Sequence, residues 1–358
     1  MLTLRALPGR SDNDLLAAYH DGLKQHWGIG ERAIGQLLAA TGQGGWSRAE
    51  ARLLAEAVRR DGLSMRDRKG LHRLLNPGAF PLASNPLKNK QLFARVAGEA
   101  GLPVATGCDP DREDLTGWLA DQDDIIAKPS FQSKGQGVER FRRVGDRWHG
   151  MDVTLARDAL VVRLTALWRA GGVIQRRLPT HAALLALSPA ALPTLRVVTC
   201  LNEAGKPEAC GMALRLSAGG ARPVDNFNAG NLVLGVDQAG CCRPAWLGGA
   251  KGVPVLHDRH PATGAAITGV PVPDLDAAIA LALRAHGPFR AGFTVIGWDI
   301  GLTDAGPALV EGNWNPGTDI LQLVDGQGLA RGRLGALYRH HLAALPTDRW
   351  RNARAMQR

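Results

Sequence analysis

The segment Ala308–Asp319 reads ALVEGNWNPGTD and places a carboxylate at the end of a short apolar strand. Three apolar residues lead into Glu311, and Asn313 and Asn315 follow before a Pro-Gly pair. Asn, Pro and Gly beside a turn need no explanation beyond turn chemistry. A carboxylate in a buried strand does need one, because an unpaired buried charge is costly to desolvate. The segment therefore predicts that a cation lies beside Glu311.

A second strand precedes this one, since FTVIGWDIGL is followed by a turn at residues 303–306. A hairpin whose turn centres near Ala305 makes Asp299 and Glu311 approximate cross-strand neighbours. Two adjacent carboxylates repel, so one becomes neutral unless a cation lies between them. Asn313 adds an amide oxygen on the same strand face, and this oxygen set suits Mg²⁺. The alternative is a solvent-exposed hairpin with ordinary polar ends.

Two lysines lie where phosphates are often bound. One precedes a glycine-containing loop, and the other begins a helix. In IIAKPSFQSKGQGV a strand ends in Lys128, and the loop after it contains Ser133, Gly135 and Gly137. Glycines let the backbone approach phosphate oxygens, and lysine supplies a positive charge. The segment is neither a P-loop nor a Rossmann fingerprint, so a plain connecting loop is the alternative. Lys90 lies at the start of a helix, where an ordinary surface lysine is the alternative.

Composition limits the class of protein. The 358 residues are 45% apolar, which is enough for two or three domains with a sizeable core. No stretch approaches the ~18 apolar residues of a membrane span. The first residues lack the apolar core of a signal peptide. We therefore expect a cytoplasmic protein without a membrane span.

Cysteine usage and charge fit the same expectation. The five cysteines form no CxxC pair or metal spacing, so reduced structural thiols are expected, with a redox-active Cys241–Cys242 pair as the alternative. The net charge of +10 and the pI of about 9.9 favour anionic partners. The basic residues are spread along the chain without a nucleic-acid-binding run.

Periodicity divides the chain into four parts. Residues 1–84 read as helical, with the segments DNDLLAAYHDGLKQH, GERAIGQLLAA and SRAEARLLAEAVRR. NPLKNKQLFARVAGEAGLP predicts a helix capped by Asn85 and ended by Gly101. Strands and helices are mixed from about residue 124 onward, and residues 235–272 read as irregular. Residues 346–358 read as a solvated basic tail. The chain is therefore predicted to be α+β.

Three elements in this order resemble the ATP-grasp superfamily over roughly residues 85–345. The first is the lysine helix NKQLFARVAGEAGLP, and the second is IIAKPSFQSKGQGV. The third is the metal hairpin, whose E-x-N-x-x-P-G ending is complete. VIQRRLPTH, TLRVVTC, DNFNAGN, HPATG and GWDIG are most similar to the sugar-transfer-associated, α-L-glutamate-ligase-like branch. The resemblance implies an ATP-grasp fold, in which two α+β lobes enclose ATP, behind an N-terminal helical region.

The resemblance also implies which residues bind ATP and metal. The phosphate contacts would come from Lys90, Lys128, Ser133, Gly135 and Gly137. The hinge for the adenine edge would consist of Gln175, Arg176, Arg177 and Leu178. The ligands of Mg²⁺, as two ions and with Mn²⁺ as an alternative, would be Asp299, Glu311 and Asn313.

The catalytic side chains implied by the resemblance are arginines and an amide. Arg196 would face the transferred phosphoryl group or the acyl phosphate, with Arg215 and Asn226 nearby. The sequence also departs from its relatives. Gln175 stands where many have a hinge carboxylate, and Gly297 stands where some amino-acid ligases have an arginine. The helical first 84 residues also differ from the usual α/β domain.

The implied reaction is an ATP- and Mg²⁺-dependent carboxylate–amine ligation through an acyl phosphate, releasing ADP and phosphate. The partners would be a small-molecule or peptide carboxylate and an amine acceptor, with sugar-linked acceptors among the candidates. Nucleic acid is not expected. Two alternatives remain, a kinase of the same fold that phosphorylates a hydroxyl and a basic nucleic-acid-binding module, which would bind without ATP or Mg²⁺ and with steep salt dependence.

Overall fold

The computed structural model describes residues 13–27, 45–132, 135–220, 223–248 and 253–352. The helical region contains α1 (Asp14–Trp27), α2 (Arg48–Leu53), α3 (Glu56–Arg60) and α4 (Met65–Leu75). Ser47 begins α2 with a capping box, and the Ser64 hydroxyl caps α4 by accepting from the Asp67 N–H. The segment GERAIGQLLAA lies outside the described residues.

The cap of helix α5 (Lys90–Glu99) lies four residues later than predicted. Asn89 is the cap, because its side chain accepts from the Leu92 N–H at 3.1 Å. The prediction of Asn85 is wrong, since that side chain is fully buried and bonds Ala79 O and Leu87 N instead. Gly101 has a φ of +61° and ends the helix as predicted.

The amino-terminal sheet has six strands in the order β1-β6-β2-β3-β4-β5. Its strands and helices are β1 (Gly107–Cys108), α6 (Leu115–Ala120), β2 (Asp124–Lys128), β3 (Glu139–Val144), β4 (Arg147–His149), β5 (Thr154–Ala156), α7 (Arg157–Arg169) and β6 (Val173–Arg176). All neighbouring pairs are antiparallel. Ile125, Phe141 and Trp148 from the sheet pack with Leu160 and Leu164 of α7, which gives this sheet its own core.

The carboxyl-terminal sheet has seven strands in the order β11-β10-β9-β8-β7-β12-β13. Its strands are β7 (Thr194–Leu201), β8 (Pro207–Leu216), β9 (Leu232–Leu234), β10 (Ala245–Leu247), β11 (Val255–His257), β12 (Val295–Gly301) and β13 (Ala308–Asn313). The two hairpins predicted from the sequence are present as β7–β8 and β12–β13. The region 235–272, which was expected to be irregular, contributes the short strands β10 and β11.

Helices cover both faces of this second sheet. They are α8 (Leu275–His286), α9 (Asp319–Asp325), α10 (Arg333–Ala343) and α11 (Thr347–Asn352). One face packs against the helical region, where Leu71 meets Val198 and Leu337 in one cluster. The other face packs against α5 and α8, with Phe93 and Ala282. Two antiparallel sheets with helical layers confirm the α+β prediction.

Residues 347–352 form a helix, so the prediction of a solvated tail is wrong for this part of the chain. Trp350 is only 4% exposed and stacks on His26 at 5.6 Å between ring centroids, which ties α11 to α1. Residues 353–358 lie outside the described residues. All five cysteines are free thiols. Within the described ranges, no helix is long and apolar enough to cross a membrane.

Candidate active site

A cleft between the two sheets brings together most of the residues singled out in the sequence. It encloses about 1020 Å³, counting open solvent at its mouth. Both sheets and the start of α5 contribute to its walls. The site residues that line it are Lys90, Lys128, Gly135, Gln175, Arg176, Arg177, Leu178, Arg215, Asn226, Asp299 and Glu311. The cleft therefore joins the lysine segments to the metal hairpin.

Three other members of the set do not line the cleft, and a fourth is not described. Gly137, Arg196 and Asn313 are not among the lining residues, and Ser133 lies outside the described residues. Gly137 has a φ of +69°, and a Cβ there would lie 2.8 Å from Pro129 Cγ. Its conformation and tight packing give Gly137 a structural reason to be glycine.

The lysines form the cationic wall of the cleft. Lys90 is the first residue of α5, and its Nζ donates to Pro129 O at 3.0 Å and to Gln132 O at 3.4 Å. Lys128 is the half-buried last residue of β2. Burial lowers the pKa of both amines, while the negative charge of Glu311 acts in the opposite direction. Lys88, which the motif analysis passed over, has its pKa lowered by burial and also interacts with Glu311.

Asp299 and Glu311 are cross-strand partners, as the hairpin register predicts. Arg196 Nε donates to Asp299 Oδ1, and Arg215 Nη2 lies 2.8 Å from Asp299 Oδ2. Burial alone would raise the pKa of Asp299, but the two guanidinium groups hold it well below its usual range. The pKa of Glu311 is raised by burial and by the charge of Asp299. One proton shared between these carboxylates relieves their repulsion.

The oxygen set of this pair fits a divalent cation. A cation between Asp299 and Glu311, which are register partners, can relieve their repulsion in place of a proton. Asn313 Nδ2 lies 3.4 Å from Glu311 Oε1, and rotating the amide would present its oxygen there instead. No group of three or more His, Cys, Asp or Glu residues in the described ranges is placed to hold a metal. A cation here would therefore need oxygens from a bound phosphate or water as well.

The charge of Arg196 is neutralised by the neighbouring carboxylate of Asp299. Its side chain is buried and pairs with Asp299. This differs from the prediction that Arg196 faces the transferred phosphoryl group. The physical reason is the strand register, which sets Arg196 of β7 directly opposite Asp299 of β12.

Asp225 is a wall carboxylate that sequence reasoning missed. It lines the cleft, lies 3.3 Å from Arg215 Nη2 and accepts from the Thr194 hydroxyl. Arg215 thus bridges Asp225 and Asp299. Its position directly before Asn226 in DNFNAGN was the signal available in the sequence.

The hinge segment lies at the edge where β1 begins. The N–H groups of Arg176 and Arg177 donate to Thr106 O at 2.8 Å and to Asp124 O at 3.0 Å. Apolar wall residues that the motifs did not indicate surround it, namely Ala105, Ile126, Val138, Leu192 and Val310. Together they form an apolar slot beside a backbone edge. For Ile126, the inward-facing period of its strand was the available signal.

Gly297 is required by the loop that follows the metal hairpin. A Cβ at this position would lie 2.5 Å from Pro316 Cβ. Pro316 therefore occupies the space that a side chain at residue 297 would fill. The arginine that some amino-acid ligases carry here has no room in this protein.

Comparison with protein families assigns the chain. A family model described as sugar-transfer associated ATP-grasp matches residues 68–336, well over half of the sequence. The chain belongs to the sugar-transfer associated ATP-grasp family. The match confirms the ATP-grasp resemblance. No curated protein matches the chain.

Solved structures give only distant likenesses to this ATP-grasp chain. D-alanine–D-alanine ligase from Bacillus anthracis is 11% identical with a TM-score of 0.42, over 74% of this chain and 69% of that one. A RimK domain ATP-grasp protein from Sphaerobacter thermophilus is 15% identical with a TM-score of 0.35, over 68% of each chain. N5-carboxyaminoimidazole synthetase from Staphylococcus aureus, complexed with ADP, is 8% identical with a TM-score of 0.40, over 66% and 47%. The chain thus spans about half the length of that synthetase.

Proposed function

We propose that this protein is an ATP- and Mg²⁺-dependent carboxylate–amine ligase that acts through an acyl phosphate, as in the α-L-glutamate-ligase-like branch. One observation carries the proposal. A single cleft holds Lys90 and Lys128 on one wall and the Asp299–Glu311 pair on the other. Cations facing a carboxylate pair suit a triphosphate with its metal ions.

The ATP would lie along the cleft with its adenine in the apolar slot. In an extended strand, backbone groups of alternate residues face the same edge. The carbonyl of Arg176, the last residue of β6, therefore faces the same edge as its N–H, which donates to Thr106 O. An extended continuation of the strand would bring the N–H of Leu178 to that edge as well. Beyond Thr106 the partner strand no longer occupies that edge, which leaves these groups for the adenine. The phosphates would then extend toward Lys90, Lys128 and the Gly135 loop.

The chemistry needs no protein nucleophile. The substrate carboxylate attacks the γ-phosphorus and ADP leaves. The amine then attacks the acyl carbon, phosphate leaves, and the proton lost by the amine goes with the phosphate. Lys90 and Lys128 would neutralise the negative charge that spreads over the phosphoryl oxygens. Arg215 and Asn226 line the same wall and would orient the acyl phosphate, with Arg196 fixing Asp299 from behind.

Metal would be held by Asp299, Glu311 and Asn313, as two Mg²⁺ ions or as Mn²⁺. Bound there, it would polarise the phosphoryl oxygens and screen their charge from the attacking carboxylate. The pKa of Glu311 is raised by burial and by the charge of Asp299, and a cation bound there would offset both. Residues 314–317, which follow β13, would keep Asn313 within reach of the metal.

The substrate would be a small-molecule or peptide carboxylate, with an amine acceptor for which a sugar-linked amine is one candidate. The family description is what supports the sugar link. An enzyme that consumes ATP is expected to work in the cytoplasm. We also propose lobes at residues 85–180 and 181–345, behind a helical region at 1–84 and before a basic carboxyl-terminal segment at 346–358 that contains α11. The strands of one sheet lie within residues 107–176 and those of the other within 194–313.

The test is to supply carboxylates and amines found by screening, with ¹⁸O in the carboxylate. Phosphorus NMR and mass spectrometry then follow the products. Equal amounts of ADP, phosphate and a product lighter by one water than its two parents are expected. One ¹⁸O should appear in the phosphate, because the bridging oxygen of the acyl phosphate leaves with phosphorus. A stable phosphorylated alcohol would show a kinase, and AMP with pyrophosphate would exclude this mechanism.

A further inference from the structure

The open end of hairpin β12–β13 is joined to the helical region by one buried amide. Asn76 follows α4 and is fully buried. Its Nδ2 donates to Val295 O at 2.9 Å and to Trp314 O at 2.6 Å. Its Oδ1 accepts from the Thr294 N–H at 2.8 Å and the Val295 N–H at 3.1 Å. Asn76 therefore fastens the start of β12 to the residue that follows β13.

A histidine of α4 holds Asn315, the residue that follows Trp314. His72 is fully buried, and its Nδ1 lies 2.9 Å from Asn315 Oδ1. Its Nε2 lies 2.7 Å from the Tyr338 hydroxyl of α10. With an amide oxygen as the acceptor, Nδ1 carries the proton and Nε2 accepts from Tyr338. The ring thus connects the loop to two helices.

The rest of the loop is enclosed as closely. A Cβ on Gly317 would lie 3.3 Å from Arg68 Nη1, and Pro316 packs over Gly297. The Trp314 ring lies edge-on to Phe80 at 5.4 Å between centroids. Residues 314–317 directly follow Asn313, so helical-region side chains decide where the end of the hairpin lies. None of these helical-region side chains lines the cleft.

We infer that Asn76 and His72 are positioning residues for the metal site, acting through Trp314 and Asn315 on Glu311 and Asn313. The inference rests on the proposed function. Metal ligands must be held to within about half an ångström, and partners that orient them typically change metal affinity by about 10–100-fold. The helical region would then be part of the active-site machinery, and the family match, which begins at Arg68 in α4, includes both residues.

The first test uses Mn²⁺ as the probe, with binding measured by EPR titration in the presence of ADP. Asn76→Ala is expected to weaken Mn²⁺ binding by about 10-fold or more. ADP binding without metal should change less than twofold. Asn13→Ala is the matched control, because Asn13 is buried and bonds Gly62 O in the same helical region. Urea unfolding of both variants separates lost stability from lost positioning.

The second test distinguishes the two hydrogen bonds of the His72 ring. His72→Asn places an amide donor near the Nδ1 position and can keep the bond to Asn315. His72→Gln places its amide near Nε2 and keeps only the bond to Tyr338. We expect His72→Asn to bind Mn²⁺ with near wild-type affinity and His72→Gln to lose about 10-fold in affinity. A general packing role would make both variants lose affinity in step with stability.

The outcomes separate the two proposals. Wild-type protein that binds no Mn²⁺ with ADP would remove the proposed metal site and this inference with it. Wild-type protein that binds Mn²⁺, with Asn76→Ala binding it equally well, would overturn the inference alone. If Asn76→Ala does not fold, the His72 pair decides, and equal Mn²⁺ affinity in the two variants would overturn it.

Discussion

The two walls of the cleft carry positive charge in different ways. On the amino-terminal wall, Lys90 contacts the carbonyl oxygens of Pro129 and Gln132. On the carboxyl-terminal wall, Arg196 and Arg215 are tied to buried carboxylates. Carbonyl contacts can be exchanged for phosphate contacts at small cost, whereas an arginine bound to a buried carboxylate cannot leave it cheaply. The first wall is therefore suited to bind ligand, and the second to hold its own shape.

The largest expected effect is on the second wall. Asp299→Asn leaves the buried guanidinium of Arg196 without its negative partner and should cost ~3–5 kcal/mol of unfolding free energy. Urea unfolding measures it. Asp123→Asn on the first sheet is the control, because Asp123 is 80% exposed and its pair with Arg143 should be worth within about 1 kcal/mol. Equal losses in the two variants would erase the contrast between the walls.

Glu311→Gln should separate function from stability on that same wall. Mg²⁺-dependent turnover is expected to fall on the order of 10²–10³-fold, as for loss of a group that stabilises transition-state charge. Stability without metal should stay equal or rise, because burial and Asp299 already raise the pKa of Glu311 toward its neutral form. Steady-state kinetics against Mg²⁺ concentration and thermal unfolding measure both. Wild-type turnover at limiting Mg²⁺ would count against the metal site.

Lysine substitutions probe the first wall. Lys128→Met and Lys90→Met should each weaken ATP binding by about 10-fold or more, the size of a lost charge-assisted contact of ~1.5–3 kcal/mol. Stability should change little, since neither lysine is the partner of a buried carboxylate in the way Arg196 is. Calorimetry measures the affinity, and Lys206→Met in the exposed β7–β8 turn is the control. Unchanged affinity in both variants would remove the phosphate contacts.

The smallest effect concerns how Lys90 is presented. Asn89→Ala removes the cap of α5 and should cost ~1 kcal/mol of stability. ATP affinity should fall by less than in Lys90→Met, because the charge stays near the cleft. Asn89→Ser keeps a capping oxygen and should recover most of both losses. An affinity loss in Asn89→Ala as large as in Lys90→Met would mean that helix geometry, and not the charge alone, controls the contact.

Local features of the site were readable from the sequence. The turn at residues 303–306 brings Asp299 close to Glu311, so their proximity could be predicted from spacing, whereas the register shift at Asp299 and Ile300 that makes them direct partners could not. The end of α5 at Gly101 could also be predicted, because it depends only on the glycine at that position. The cap was not, because Asn85 and Asn89 both precede the helix and only packing decides that Asn85 is buried.

Features that depend on strand order or distant packing were not readable. Arg196 and Asp299 lie 103 residues apart and meet only because β7 pairs with β12. Asp225 lies in a loop whose path the sequence does not reveal. The contact between His72 and Asn315 spans 243 residues and two different regions. Helix periodicity identifies α4 but gives no information about the loop it meets.

The close approach of Pro316 to Gly297 has a consequence for anyone who redesigns this protein. Substrate preference in related ligases cannot be transplanted here by writing a single arginine into β12. The new side chain would need the volume that Pro316 occupies, with a Cβ contact of 2.5 Å already too short. Strand β12 and the loop at residues 314–317 must therefore be changed together. A library that varies residue 297 should also vary residues 314–317.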